Sequence, residues 1–319
     1  MGIRKLEILK FPKVKDSFVN SLSEMSPFFD LANKKAYEHW RDQKLNGYPE
    51  KVESLLIEIL DFQNPSDAEV TALKKNINKT NMALYSCTLG RGNDIGSIKS
   101  ALSSLSLLLG LKTLDANLCA DEDDYSLLSV TEKVRKSRYI PYTNKPINWH
   151  TDGYYNSADQ KIRGMGLHCI SPAAVGGENA LMDPEIVYIL LRDENPDFIR
   201  ALTHPHAMEI PANNENDINI RAAQSGPVFS LFGDDASLHM RYTARTRSIK
   251  WRQDEVTRAA VKFLGDLLNS DSPYIFRHRM KAGEGVVSNN VLHNRTGFED
   301  DKTRQRSFLR ARYFDRITI

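Results

Sequence analysis

The sequence predicts a mainly β fold with helical additions, a double-sheet jelly roll preceded by helices. Three observations predict it. From about Ser126 onward, short apolar runs bounded by turn residues recur down to Phe314. The first third instead carries apolar residues at helical spacing. Strands and helices do not alternate regularly, as a parallel α/β sheet would require. The 319 residues suffice for one sizeable core. We read residues 1–319 as a single domain, with 1–125 a mainly helical N-terminal scaffold and 126–319 the jelly-roll core.

Glu50 to Phe62 places Val52, Leu55, Leu56, Ile59 and Leu60 on one helical face, and reads as a helix. Ser66 and Glu69 form a capping-box signature for the next helix, running toward Ile77. A further helix covers Ile95 to Leu109. Arg138 to Tyr142, Asn148 to Asp152, Met165 to Ile170 and Val228 to Phe232 read as strands. Asp183-Pro184 opens a helix, with Asp as cap and Pro in its first turn, and Asp254 to Leu268 forms another. Gly285 to Leu292 and Arg306 to Phe314 complete the strands.

With 43 basic and 41 acidic residues the net charge is +2, which gives no electrostatic footprint for a nucleic-acid partner. A small-molecule substrate is expected. The longest apolar stretch, around Leu105 to Leu111, is too short to span a bilayer, and Met1 to Lys10 carries no apolar leader segment. Cys87, Cys119 and Cys169 are widely spaced and form no CxxC pair, as in a reducing compartment. The expected location is therefore cytoplasmic, away from membranes, and the sequence leaves room for a homo-oligomer.

His150 and Asp152 lie two residues apart, so on an extended strand both side chains share a face and can grip a metal together. The pair alone is weak: eight histidines and 41 acidic residues in 319 give roughly one such pair by accident. Its place at a strand end, before Gly153, is where functional residues gather. Two histidines and one carboxylate leave three positions open on iron(II), enough for a chelating cosubstrate and dioxygen. A second histidine must then exist. His39 lies in a charged helical segment, and His204 and His206 flank Pro205, so these read as surface or capping groups. His168, His239 and His278 sit in or near strands, where core packing is the commoner role. His293 ends an apolar run and precedes an arginine-rich strand, and is the choice.

In that strand, alternation places Arg304, Arg306, Phe308, Arg310 and Arg312 on one face and Leu309, Ala311 and Tyr313 on the other. A solvated basic edge is the bland alternative. A dicarboxylate that chelates a metal through its keto-acid end leaves a distal carboxylate, which a guanidinium fork grips better than an ammonium does. Arg306, following His293 in the chain, is assigned that task.

Four ordered segments carry a resemblance: Trp149-His150-Thr151-Asp152, Gly176-Gly177-Glu178-Asn179, Val291-Leu292-His293-Asn294-Arg295 and Arg306-Ser307-Phe308-Leu309-Arg310. Over roughly Arg138 to Ile317 the chain resembles the taurine dioxygenase-like (TauD/TfdA) family of Fe(II)/2-oxoglutarate-dependent oxygenases, which have a double-stranded β-helix fold. The resemblance implies that His150, Asp152 and His293 ligate Fe(II). It implies that Arg306 binds the distal carboxylate of 2-oxoglutarate and that Arg310 faces the cosubstrate or substrate. Asn179 stands where the family has a threonine that donates to 2-oxoglutarate, and Phe308 stands at a usually aliphatic position. The implied reaction consumes 2-oxoglutarate and O2, releases succinate and CO2, and hydroxylates or desaturates the substrate. The carboxylate of Asp152 disfavours the related halogenation.

Arg241, Arg245 and Arg247 form a second basic cluster, and with Arg310 they suggest an anionic or amino-acid-like substrate. Tyr154, Tyr155 and Asn156 could line its pocket, with core packing the commoner role for such aromatics. Two rival readings keep the same residues: a non-catalytic anion-binding jelly roll, and a zinc hydrolase using the three ligands. The zinc reading leaves the arginine strand without a task.

Overall fold

The computed structural model describes residues 26–116, 123–131, 139–215, 218–232, 236–247 and 249–318. Cys119, Arg138 and Met1 to Lys10, on which parts of the sequence reading fall, lie outside these residues. In chain order the strands that build the sheets and flank the site are β1 (Leu56–Glu58), β2 (Met82–Ser86), β3 (Ser126–Ser129), β4 (Ile147–His150), β5 (Gly164–Ser171) and β6 (Asn179–Met182). They continue with β7 (Phe229–Phe232), β8 (Ser237–Met240), β9 (Phe276–His278), β10 (Glu284–Ser288), β11 (Leu292–Arg295) and β12 (Ser307–Tyr313). The larger sheet has the order β1-β2-β10-β5-β12-β3, the smaller β9-β6-β11-β4, and β7 and β8 form a separate hairpin. Within the two sheets only β1 and β2 pair in parallel.

Alternation along the strands of the larger sheet sorts its side chains into two cores. Leu84, Leu167 and Phe308 join Trp149, Leu181 and Leu292 of the smaller sheet in the main core. Ala83, Tyr85, Leu309 and Ala311 point the other way, against two helices. These are α2 (Asp67–Thr80) and α3 (Ile95–Leu108), which follow α1 (Lys34–Leu45). The larger sheet is thus buried on both faces, and β2 from the N-terminal third lies inside it. Helix α2 starts where the sequence reading put it, with both reciprocal bonds of the Ser66–Glu69 capping box present. Asp183 caps α4 (Pro184–Glu194), which is followed by α5 (Pro196–Leu202) and α6 (Glu255–Leu268). Asp183 and Glu185 also hold the buried Lys44 ammonium at 2.7 and 2.5 Å, tying α1 to the start of α4.

Three segments depart from expectation. Glu50 to Phe62 is not a helix: a 3₁₀ turn at Val52–Leu55 leads into β1, whose register pairs Leu56 with Leu84. Pairing with the edge of β2 overrides the helical spacing, and Leu60, expected on the buried face, is 78% exposed. Tyr142 ends a 3₁₀ turn that contains Pro141, not a strand. Gly285 to Leu292 is two strands, β10 and β11, in different sheets, with a corner at Asn290 in left-handed conformation (φ 52°). Asn tolerates that region because its side chain can bond locally.

Two buried histidines make folding pH-dependent. His168 Nε2 faces the Leu89 carbonyl at 2.9 Å and the Tyr85 hydroxyl lies 3.1 Å from Nδ1. Burial pushes its pKa down to about 4, and burial followed by the Lys161 charge pushes His239 down to about 3. Below the unfolded value of 6.5 the unfolded chain binds protons that the folded chain refuses, so stability falls with pH from 6.5 toward 4. At pH 5 each histidine should cost about 2 kcal/mol relative to pH 7.5. Denaturant titrations of metal-free protein at the two pH values check this, and equal stabilities would refute it.

Candidate active site

Strand β4 pairs with β11 in a register that sets His150 directly opposite His293, so both rings project from one face of the smaller sheet. Their centroids lie 4.2 Å apart. Each imidazole directs Nδ1 at a main-chain carbonyl two residues earlier, Asn148 for His150 and Val291 for His293, both at 2.9 Å. A carbonyl only accepts, so Nδ1 carries the proton and Nε2 is left as a bare lone pair. Asp152 lies beyond the end of β4, in the turn that Gly153 makes possible at φ +66°. Its Oδ1 is 3.8 Å from His150 Nε2, and one ligand atom from each of His150, Asp152 and His293 lies within 4.8 Å of the others.

The turn is held from two sides. Asn290 accepts the Asp152 N–H at 2.8 Å and donates to the carbonyls of Asp152 and Ile162 at 2.9 and 2.7 Å. Thr151 exchanges main-chain and side-chain bonds with Tyr242 at 3.0 and 3.1 Å. Burial alone would push the Asp152 carboxyl up, but Arg310 and then Arg312 outweigh it and hold it below the usual carboxylate range. Burial and the neighbouring His293 push His150 down to about 3. At neutral pH the pair therefore offers an unprotonated carboxylate and a neutral imidazole, the forms a metal requires. Asp152 Oδ2 is buried and has no hydrogen-bond partner among the described residues, as the free oxygen of a metal-binding carboxylate would. The donor set fits a divalent iron.

Because Asn290 fixes the turn from behind, its side chain is expected to set metal affinity. Asn290→Gly keeps the left-handed corner and removes only the clamp. Iron(II) or cobalt(II) titration should read about a 10- to 100-fold loss, the range for outer-shell partners. Unchanged affinity would mean that the Thr151–Tyr242 contacts suffice.

Of the arginine face, Arg304 lies outside the strand, exposed and paired with Asp301 at 3.2 Å. It sits in the loop because the chain joins β12 only at Ser307. Arg306 is buried, with its guanidinium 3.9 Å from the Phe308 ring centroid and packed beside Gly177. Among the described residues no acidic side chain forms an ion pair with it. Burial, then the charge of Arg295, pushes it down to about 9. Arg295 donates to the carbonyls of Thr143 and Lys145, and the nearby Asp300 carboxylate accepts the Arg306 main-chain N–H at 2.9 Å, so among the described residues neither buried guanidinium is in an ion pair. Such a place calls for an anion. Arg310 Nη1 meets Asp152 Oδ1 at 3.3 Å, while Arg312 is bound by Asp115 and donates to the Tyr155 hydroxyl at 2.8 Å. Asn179 is buried; its amide nitrogen donates to the Asn294 carbonyl at 3.1 Å and its Oδ1 has no partner.

The other histidines lie apart from the three. His39 is exposed, His168 is stacked in the core, His278 meets Glu284 at 2.8 Å, and His204 and His206 adjoin each other in a loop. Tyr154 is buried edge-on to His150, with ring centroids 6.3 Å apart. The second basic cluster divides: Arg241 is buried and bound to main-chain carbonyls, whereas Arg245 and Arg247 are exposed. Sequence reasoning missed Asn290 and Asp115 as parts of the site, and it quoted Arg295 in the His293 segment without giving it a role. No local signal marks them, since their partners lie 138 to 197 positions away in the chain.

A family model described as "Taurine catabolism dioxygenase TauD, TfdA family" matches residues 99–312. A uridine-5'-phosphate dioxygenase from Streptomyces sp is 28% identical over 203 residues, covering 61% of this chain and 71% of that protein. Among solved structures, an asparagine oxygenase in complex with Fe(II), 3-hydroxyasparagine and succinate aligns with a TM-score of 0.55 at 12% identity, covering 94% of this chain and 92% of that one. A taurine dioxygenase from Burkholderia xenovorans aligns with a TM-score of 0.52 at 12% identity, covering 81% and 87%. At these identities the structures establish the fold, the double-stranded β-helix.

Proposed function

The chain belongs to the TauD/TfdA family and is an Fe(II)- and 2-oxoglutarate-dependent dioxygenase; from that premise we propose that His150, Asp152 and His293 hold its iron, Arg306 anchors 2-oxoglutarate, and the substrate is a small anionic molecule. One observation carries the assignment: three ligand atoms within 4.8 Å, one of them on a carboxylate whose second oxygen is buried and unpartnered. Iron, when bound, supplies the activation of O2 that couples breakdown of 2-oxoglutarate to oxidation of the substrate. The chain's own residues do the rest. The Nδ1–carbonyl bonds orient both imidazoles, Asn290 holds the Asp152 turn, and Arg310 orients the carboxylate it touches. Arg306 gives the distal carboxylate a charged partner away from water, with Asn179 and Arg310 bounding the same site.

Hydroxylation or desaturation of an anionic or amino-acid-like molecule fits both the arginines and the names of the relatives, one of which acts on a nucleoside phosphate. Among the described residues no helix is long and apolar enough to cross a membrane. Cys87 and Cys169 are free thiols, in keeping with a cytoplasmic enzyme whose partner is a small molecule rather than a nucleic acid. The test is anaerobic addition of iron(II) and then 2-oxoglutarate to metal-free protein. A weak visible charge-transfer band of the chelated keto acid is expected, and a colourless protein that still binds metal would overturn the site assignment.

A further inference from the structure

A cleft of about 70 Å³ opens beneath the loop that follows Asp152, lined by Thr151 and Asp152 of the metal-centre turn together with Lys161, Ser230, His239 and Arg241. Ser230 and His239 face each other across the β7–β8 hairpin. Two cations meet here, and among the described residues neither is ion-paired with an acid. The Lys161 ammonium has Ser230 Oγ at 3.1 Å and the Phe232 ring centroid at 5.5 Å, and among the described residues no carboxylate lies within ion-pair distance. Arg241 is buried, and its guanidinium is committed to the carbonyls of Tyr154 and Gln224, both at 2.7 Å. His239 Nε2 lies 3.3 Å from the Ile162 carbonyl and so carries the proton, which leaves Nδ1 a buried acceptor with no partner.

We propose that this cleft is the phosphate end of the substrate site and takes the phosphate monoester of a small hydroxylated molecule. The proposal rests on the dioxygenase reading and deepens it. An uncompensated cation beside a cleft costs solvation that only a bound anion restores. A planar carboxylate is best matched by a guanidinium fork, but the Arg241 fork is spent on carbonyls and Arg310 is paired with Asp152. What remains are point donors, the Lys161 ammonium and the Ser230 hydroxyl, which suit a tetrahedral oxyanion. His239 Nδ1 supplies the complementary acceptor for a hydroxyl of the ligand or for a protonated phosphate oxygen. Arg241 adds positive potential from behind without touching the anion. Since Asp152 borders both spaces, a molecule anchored here by its phosphate presents its neighbouring carbon toward the metal centre.

The test uses inorganic phosphate on the full-length, metal-free protein, with affinity read by phosphorus NMR line broadening. Wild type should bind; Lys161→Met should weaken binding roughly 10- to 100-fold, as for loss of a charged hydrogen bond. Lys161→Arg should recover most of it, and Ser230→Ala should weaken it less. Arg306→Ala should leave the Lys161-dependent part of the phosphate binding in place, which separates this cleft from the anion site at Arg306. Equal binding by wild type and Lys161→Met, or displacement of phosphate by equimolar acetate, would overturn the proposal. In parallel, the keto-acid band is recorded with iron(II) in wild type and Lys161→Met. Band formation with no phosphate binding overturns the cleft alone, and loss of the band in wild type overturns the reading beneath it.

Discussion

Asp152→Ala is expected to abolish the charge-transfer band and any 2-oxoglutarate-dependent formation of succinate. In the proposed centre the carboxylate is the one anionic ligand among the three, and Arg310 and Arg312 already hold it ionised at neutral pH. Removing it leaves the His150 imidazole, kept neutral by burial, near Arg310, whose positive charge then opposes a divalent cation. Metal affinity should fall by far more than the 10- to 100-fold expected for Asn290→Gly, because a ligand rather than its support is lost. His293→Ala should act in the same direction. The distinguishing control is anion binding by metal-free Asp152→Ala. A protein that binds 2-oxoglutarate only as an anion would keep its affinity. One that binds it through the metal loses the chelate and keeps only the contact at Arg306. Succinate production at wild-type rates by Asp152→Ala would remove this residue from the centre.

Arg306→Ala is expected to weaken 2-oxoglutarate binding by about 2–5 kcal/mol, the range for truncating one partner of a buried charge pair. The side chain is 4% exposed, forms no ion pair among the described residues, and is depressed to about 9 by burial and by Arg295. Its charge is thus maintained against a desolvation cost that a ligand carboxylate offsets. Titration of the keto-acid band should show a raised half-saturation concentration with iron(II) affinity retained, the opposite of the Asp152 result. Arg306→Lys should recover little, because an ammonium lacks the fork. If affinity is unchanged, Arg310 or Arg295 is the anchor instead. The free protein is also expected to gain stability from Arg306→Ala, since the variant no longer buries a charge outside any ion pair; a rise in the thermal midpoint alongside lost affinity would be the signature of a residue kept for its ligand.

Sequence by itself determined what depends on neighbours along the chain. The capping box of α2 and the N-caps of α4 and α6 are local hydrogen bonds, and they lie where the residue order puts them. The alternation that sends Phe308 to one core and Leu309 and Ala311 to the other follows from the pleat alone. The shared face of His150 and Asp152 was legible for the same reason, whereas alternation alone did not distinguish Arg306 from Arg304 or Arg310. Only the tertiary structure decided what depends on residues far apart in the chain. Leu56–Glu58 became a strand because β2 offered an edge, and Gly285 to Leu292 broke in two because Asn290 turned a corner between sheets. That corner carries the amide that clamps Asp152 from 138 positions away, and Asp152 finds Arg310 from 158. Helical or strand periodicity reports which face of an element is apolar, and it carries no information about which distant polar group that element will meet. For that reason the sequence held His239 only as a possible ligand, and folding placed it with Lys161 and Ser230 around a cleft beside the metal centre.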